Sequence, residues 1–203
     1  MSRGSGGVPQ GRDAPVEIAP YDPAWPLKFD AERDLVAPVL APWLDGGIHH
    51  VGSTAVPGLG AKPIIDIMAG VRDLDEARAA IAPLADLGYL YAPYRDWMLW
   101  FCKPDPAHRT HHLTLVEPSH PQWAHRLAFR DRLRADPETA AAYERLKRRL
   151  ATEHRNDREA YTEAKTAFVL DTLHKGRVAQ LAASPVTGPS VVDHRFPPNS
   201  EEI

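Results

Sequence analysis

Residues 63–71 read Pro-Ile-Ile-Asp-Ile-Met-Ala-Gly-Val, a continuous apolar run interrupted by one carboxylate. Such a run predicts a strand buried in a sheet, with apolar side chains covering it. Asp66 is the anomaly in that run. An ionised carboxylate inside a buried strand costs about several kcal/mol unless it is paired, hydrogen-bonded or metal-bound. The residue is therefore either one half of an ion pair, with Lys62 or Lys103, or part of a site.

The rest of the chain supplies the sheet and its cover. Asp22-Pro23 opens a helix with Trp25, Phe29, Val36 and Leu40 on one face. Ile48–Val51 is a short strand, and 52–60 a turn-rich loop. Asp73 caps the next helix, Glu76 stands at its capping-box position, and Gly88 ends it. Tyr89–Tyr91, Trp97–Cys102 and Thr110–Val116 are three further strands, separated by proline turns. Beyond Pro121 the chain reads as helices: Trp123–Ala135, one from Asp136-Pro137, and one from Asn156 that carries Tyr161, Ala164 and Phe168 on one face. The expected fold is α/β (α+β), a mixed β-sheet flanked by helices with a C-terminal helical region. A single domain is expected over 16–181. Residues 1–15 and 182–203, rich in Gly, Pro and Ser, read as disordered tails.

Composition narrows the function. The net charge of −3 gives no strong nucleic-acid signature. No apolar run approaches the ~18 residues of a membrane span. The single cysteine, Cys102, excludes an internal disulfide framework and a cysteine-based zinc site. With no signal-like N-terminus, these features point to the cytoplasm. Histidine is more informative: seven of the ten lie between His49 and His125.

Three constellations carry chemistry. In His49-His50-Val51-Gly52-Ser53-Thr54 a strand enters a Gly-Ser turn, whose amides and hydroxyls suit phosphate oxygens, although such hydroxyls also satisfy their own backbone. Asp66 follows Ser53 by thirteen residues, an arrangement by which nucleotidyl transferases hold Mg²⁺ near a triphosphate. In Arg109-Thr110-His111-His112-Leu113-Thr114, strand alternation puts His112 and Thr114 on one face, with His111, Leu113 and Leu115 on the other. His112 is the histidine expected to face Asp66, because the leucine face fills a core. Between Arg126 and Lys165 eleven Lys/Arg oppose eight Asp/Glu. Any one of these cations is more often a solvated surface residue. Arg130 and Lys165, each beside an apolar neighbour taken to face inward, are better site candidates than Arg148 or Arg149.

The segments IAPYDPAWPLKFDAE, IHHVGSTAVPGLGAKPIIDIMAGV, LGYLY, RTHHLTLVE and DREAYTEAKTAFV resemble the GrpB family (UPF0157), and the resemblance spans about Ile18 to Val169. It implies a nucleotidyltransferase-superfamily-like fold. Some relatives are fused to dephospho-CoA kinase, which implies an accessory role beside that enzyme as one alternative. The superfamily pattern is Gly-Ser, then two carboxylates on one strand, then a third on a later strand. Here Gly52, Ser53 and Asp66 match, but Met68 stands at the second acidic position, and His112 and Thr114 occupy the later strand. Two-metal phosphoryl transfer needs more anionic ligands than these. One divalent ion (Mg, Mn or a transition metal) on Asp66, His112 and His50 is the set that remains.

The expected site therefore has Asp66, His112 and Ser53 as catalytic residues. Gly52, Ser53, Thr54, Lys62, Lys103, Arg109, Arg130 and Lys165 are the candidates for binding substrate or phosphate. The expected ligand is a nucleotide or other small anionic molecule, handled by a transferase-like enzyme. The alternatives are a non-catalytic ligand-binding or accessory module, and a small-molecule pathway enzyme using histidine acid–base chemistry.

Overall fold

A computed structural model describes residues 15–93 and 95–183. The predicted tails lie outside the described residues, apart from a residue or two at their inner ends. In chain order the elements are α1 (Trp25–Leu40), β1 (Leu44–Val51), a 3₁₀ turn (Ser53–Ala55), β2 (Ile65–Val71), α2 (Leu74–Ala77), a second 3₁₀ turn (Arg78–Ala80), α3 (Ile81–Asp86), β3 (Leu90–Tyr91), β4 (Leu99–Lys103), β5 (His111–Val116), α4 (Pro121–Ala135), α5 (Pro137–Glu153), α6 (Arg158–Glu163) and α7 (Thr166–Ala183). The strands form one mixed five-stranded sheet in the order β1-β2-β5-β4-β3. Only the central pair, β2 and β5, is parallel. Among the described residues no helix is long and apolar enough to cross a membrane.

The apolar run with its one carboxylate forms β2, second from the β1 edge of this sheet, with both faces covered. Ile65, Ile67, Ala69 and Val71 pack with Leu113, Leu115, Leu99 and Phe101 against Trp25, Phe29, Val36 and Leu40 of α1 and against Ala77, Ala80 and Leu84. The other face carries Val51, Met68 and Val116 beneath Trp97, Trp123 and Leu127. Gly70 is required by a close approach: an added Cβ would run into the carbonyl of Asp45, where β1 carries its irregularity between Leu44 and Ile48.

Caps explain the helix starts. Asp73 accepts from the Glu76 amide, His120 from that of Gln122, Asp136 from those of Glu138 and Thr139, and Asp157 from that of Ala160. Two boundaries differ from the sequence reading. Asp22 accepts from the Ala24 amide in a turn, and α1 begins only at Trp25, with Pro26 in its first turn. The last helical stretch is two helices, broken at Ala164-Lys165, so Phe168 belongs to α7 and Ala164 is exposed.

The core face holds a buried ion pair. Lys103 Nζ donates to Glu32 Oε1 at 2.6 Å, with side chains 18% and 6% exposed. Lys103 also lies 4.9 Å from the centre of the Tyr89 ring. This corrects its placement among the substrate-binding residues. Lys103 pairs in register with His111, across the sheet from Asp66, and its charge is spent on α1. Lys103→Ala leaves the buried Glu32 carboxylate with only the His111 ring, 3.8 Å away, as a charged partner among the described residues and lowers unfolding free energy by about 3 kcal/mol. The double substitution Glu32→Leu with Lys103→Met recovers most of that loss, and urea denaturation of the three variants measures both effects.

Candidate functional site

The parallel register sets Asp66 beside His112. In a sheet, directly paired residues share a face. His112 Nδ1 and Asp66 Oδ1 are 2.9 Å apart, so an Nδ1–H donates to the carboxylate. Asp66 keeps 38% of its side-chain surface and His112 keeps 17%. The acid is therefore not sealed in, and its hydrogen bond goes to an imidazole. Burial pushes its carboxyl up, yet it stays below the ordinary range, because the His112 hydrogen bond and the charges of His112, Lys62 and Arg126 outweigh burial. His112 Nε2 is buried with no hydrogen-bond partner among the described residues. His112 therefore reaches solvent chemistry through Asp66, whose orientation it sets.

Gly52 shapes the approach to that acid. Its φ of +72° is left-handed, and an added Cβ would strike Oδ2 of Asp66. The turn then starts a 3₁₀ segment in which Ser53 is half-buried and Thr54 is buried. The side chain of Ser53 meets the Tyr143 hydroxyl on α5, so Ser53 faces the helical cap. Thr54 turns away. Its Oγ1 donates to the Ile64 carbonyl at 3.1 Å and accepts from His50 Nε2 at 3.0 Å. Thr54 is thus a structural hydroxyl, which corrects its place among the phosphate-binding residues.

The cap brings cations to the acid. Lys62 and Lys165 lie 5.0 and 4.2 Å from the centre of one ring, that of Tyr161 on α6. Lys165 is pushed down to about 7 by burial and by Lys62, against the pull of Asp66. Lys147 of α5 stands 5.0 Å from the centre of the Tyr143 ring and donates to the Gly60 carbonyl. Burial pushes it down to about 7 as well. Ser53, Lys62 and Lys165 are all half-buried, and the two lysines lie near enough to Asp66 for their charges to interact with it.

Neither tyrosine was singled out as a site residue from the sequence. One signal was present: Tyr143 with Lys147, and Tyr161 with Lys165, repeat a Tyr-x-x-x-Lys spacing. That spacing stacks an ammonium over a ring one helical turn away.

Other candidates fall elsewhere. Arg109 lies 5.3 Å from the centre of the Trp100 ring, whose neighbour is His112, at the margin of the site. Arg130 donates to the His50 carbonyl at 3.1 Å and to Asp131 at 2.7 and 3.0 Å, along the free edge of β1. Arg148 pairs with Glu144, and Arg149 faces Glu153 at 3.6 Å.

The one-metal set does not assemble. His50 pairs in register with Ile67, on the sheet face opposite Asp66, where it stacks on Phe29 at 4.8 Å. Its ring nitrogen is already given to Thr54. Among the described residues no group of three or more His, Cys, Asp or Glu is placed to hold a metal ion. The sequence reading identified the Asp66–His112 pair but not the side on which His50 falls.

The GrpB protein family matches residues 15–175. The chain belongs to the GrpB family. A UPF0157 protein of Pseudomonas aeruginosa is 41% identical over 175 residues, covering 82% of this chain and 70% of that protein. The crystal structure of conserved protein GrpB from Enterococcus faecalis superposes with a TM-score of 0.73 at 29% identity, covering 81% of this chain and 99% of that one. A dephospho-CoA kinase of Mycolicibacterium paratuberculosis is 30% identical over 191 residues, covering 80% of this chain but 46% of the kinase. The expected mixed sheet with flanking helices is the fold of this GrpB chain.

The buried imidazole of His50 has a stability signature. Burial pushes it down to about 4 from 6.5, so the folded state excludes a proton that the unfolded chain binds in between. The unfolded state then carries more protons, and stability falls as pH drops from about 6.5 to about 4, by about 3 kcal/mol in full. His50→Gln flattens that part of the profile, as urea titrations of both proteins between pH 4 and 7 will show.

Proposed function

We propose that the half-open cluster of Ser53, Lys62, Asp66 and Lys165 binds a small phosphorylated or carboxylated molecule, a nucleotide among the candidates. The observation that supports this most is the sharing of Tyr161 by two lysine ammoniums beside one acid. Two cations in partial burial repel one another, and a bound anion relieves that repulsion. Ser53 presents its hydroxyl from the Gly52 turn, Lys62 and Lys165 supply charge, and Asp66 stands across from them. With the His112 hydrogen bond orienting it, Asp66 is the group that would accept a proton from a bound hydroxyl or amine. Chemistry of that kind fits a transferase-like enzyme.

A second reading is favoured by one comparison. The mycobacterial dephospho-CoA kinase aligns with this chain over less than half of its own length. A GrpB unit therefore also exists beside a kinase, which supports a ligand-binding accessory role without turnover. The absence of a carboxylate at Met68 fits that role, since multi-ion phosphoryl transfer needs more than one acid.

Thermal-shift titration with ATP, GTP, CTP and CoA, with and without Mg²⁺ or Mn²⁺, tests binding. At least one of these is expected to raise the melting temperature of the wild-type protein. Lys165→Ala should weaken that ligand about tenfold or more, the usual loss for one charge-assisted hydrogen bond. If no ligand shifts the melting temperature, or if Lys165→Ala binds equally well, the reading fails. Asp66→Asn separates the two roles: turnover vanishes if the protein is an enzyme, whereas binding and any support of a partner kinase survive if it is an accessory module.

A further inference from the structure

A cavity of about 340 Å³ runs along the free edge of β1 between α1 and α4. The turn at 53–55 divides it from the Asp66 cluster. Ser53 points to Tyr143 on one side, and Ala55 lines the cavity on the other. Two guanidinium groups one helical turn apart, Arg130 and Arg134, form its α4 wall. Tyr21 and Phe29 form the opposite wall, and Ile48 lies at its base.

Both arginines are fixed in place. Arg130 is 13% exposed and spans from the His50 carbonyl to Asp131. Arg134 donates through Nε to the Ala55 carbonyl at 2.8 Å, which leaves its terminal nitrogens at the cavity, and it remains 42% exposed. Asp131 is shared between them, at 2.7 Å from Arg130 and 3.9 Å from Arg134. Asp30, the acid that lines the cavity, shares Arg33 with Asp34, at 2.7 and 2.9 Å. The buried His50 is neutral near pH 7. The Arg134 charge therefore has no carboxylate closer than 3.9 Å among the described residues, and it lines the cavity with aromatic and aliphatic surface. Burial and the neighbouring Arg130 both act against that charge, so a partner anion is favoured there.

We infer that this cavity is a binding site for a small organic monoanion, a carboxylate on an aromatic or apolar body, with Arg134 as its charge partner. Its volume lies near the lower end of small-molecule sites, about 300–1,000 Å³, so the ligand is compact. Arg130 is engaged by Asp131 at 2.7 Å, so Arg134 alone is offered to an anion, which favours a carboxylate over a doubly charged phosphate monoester. The site needs neither Asp66 nor the lysines of the cap, and it stands or falls apart from the function proposed above.

Benzoate, phenyl phosphate and inorganic phosphate, titrated into the ¹⁵N-labelled full chain, test the inference. Benzoate should give saturable shifts at Tyr21, Ile48 and Ala55, phenyl phosphate weaker ones, and inorganic phosphate none at these positions. Arg134→Gln should weaken benzoate about tenfold or more. Pro57→Trp, which fills the cavity from an exposed position, should do the same if Arg134→Gln does not fold. The inference is overturned if benzoate gives no saturable shift, if its shifts fall at Ser53, Lys62 and Lys165 instead, or if the folded variants bind it as the wild type does.

Discussion

The parallel pairing of β2 with β5 brings Asp66 and His112 to adjacent positions on one face of the sheet, and the 2.9 Å contact between them is what makes an acid tolerable in that strand. An unpartnered carboxylate there would be protonated or would destabilise the sheet. Paired with an imidazole whose second nitrogen is sealed, it stays charged and aimed outward. The same register settles the division of labour across the sheet. Leucines, isoleucines and the Glu32–Lys103 pair lie under α1, while Asp66, Met68 and Thr114 lie under the later helices.

The helical cap completes what the sheet begins. Its tyrosines serve as platforms: Tyr143 lies beside Lys147, which donates to the Gly60 carbonyl, and Tyr161 lies beside Lys62 and Lys165, whose charges interact with Asp66. Holding two ammoniums in partial burial costs free energy. Groups kept at such a cost are more often found at sites than in packing. Met68 fits the same picture: it is fully buried beside Val51 and Val116, so the position that could have carried a second acid closes the floor of the site with apolar packing.

Much of this was legible in the chain. The apolar run with one acid specifies a covered strand, and strand alternation alone separates His112 from His111, as the register bears out. Asp73, Asp136 and the prolines after His120 and Asp136 mark helix starts within a few residues, because caps act locally. What was not legible depends on partners distant in sequence. The fates of Lys103 and His50 depend on which sheet face they occupy, and a one-residue difference in register reverses that. Arg130 reads as a site cation beside an apolar neighbour, but its carboxylate is the adjacent Asp131 and its carbonyl lies eighty residues away. The break at Ala164-Lys165 leaves no glycine or proline signal.

Crystals grown with selenate, a sulfate mimic with its own anomalous signal, test the central claim most directly. The account predicts an anomalous peak bounded by Ser53, Lys62 and Lys165, within hydrogen-bonding reach of the Ser53 hydroxyl and the Lys165 ammonium, with Asp66 still bonded to His112. Lysine ammoniums turned out to solvent with no peak between them, or an Asp66 carboxylate drawn away from His112 into a contact with Lys62, would contradict it.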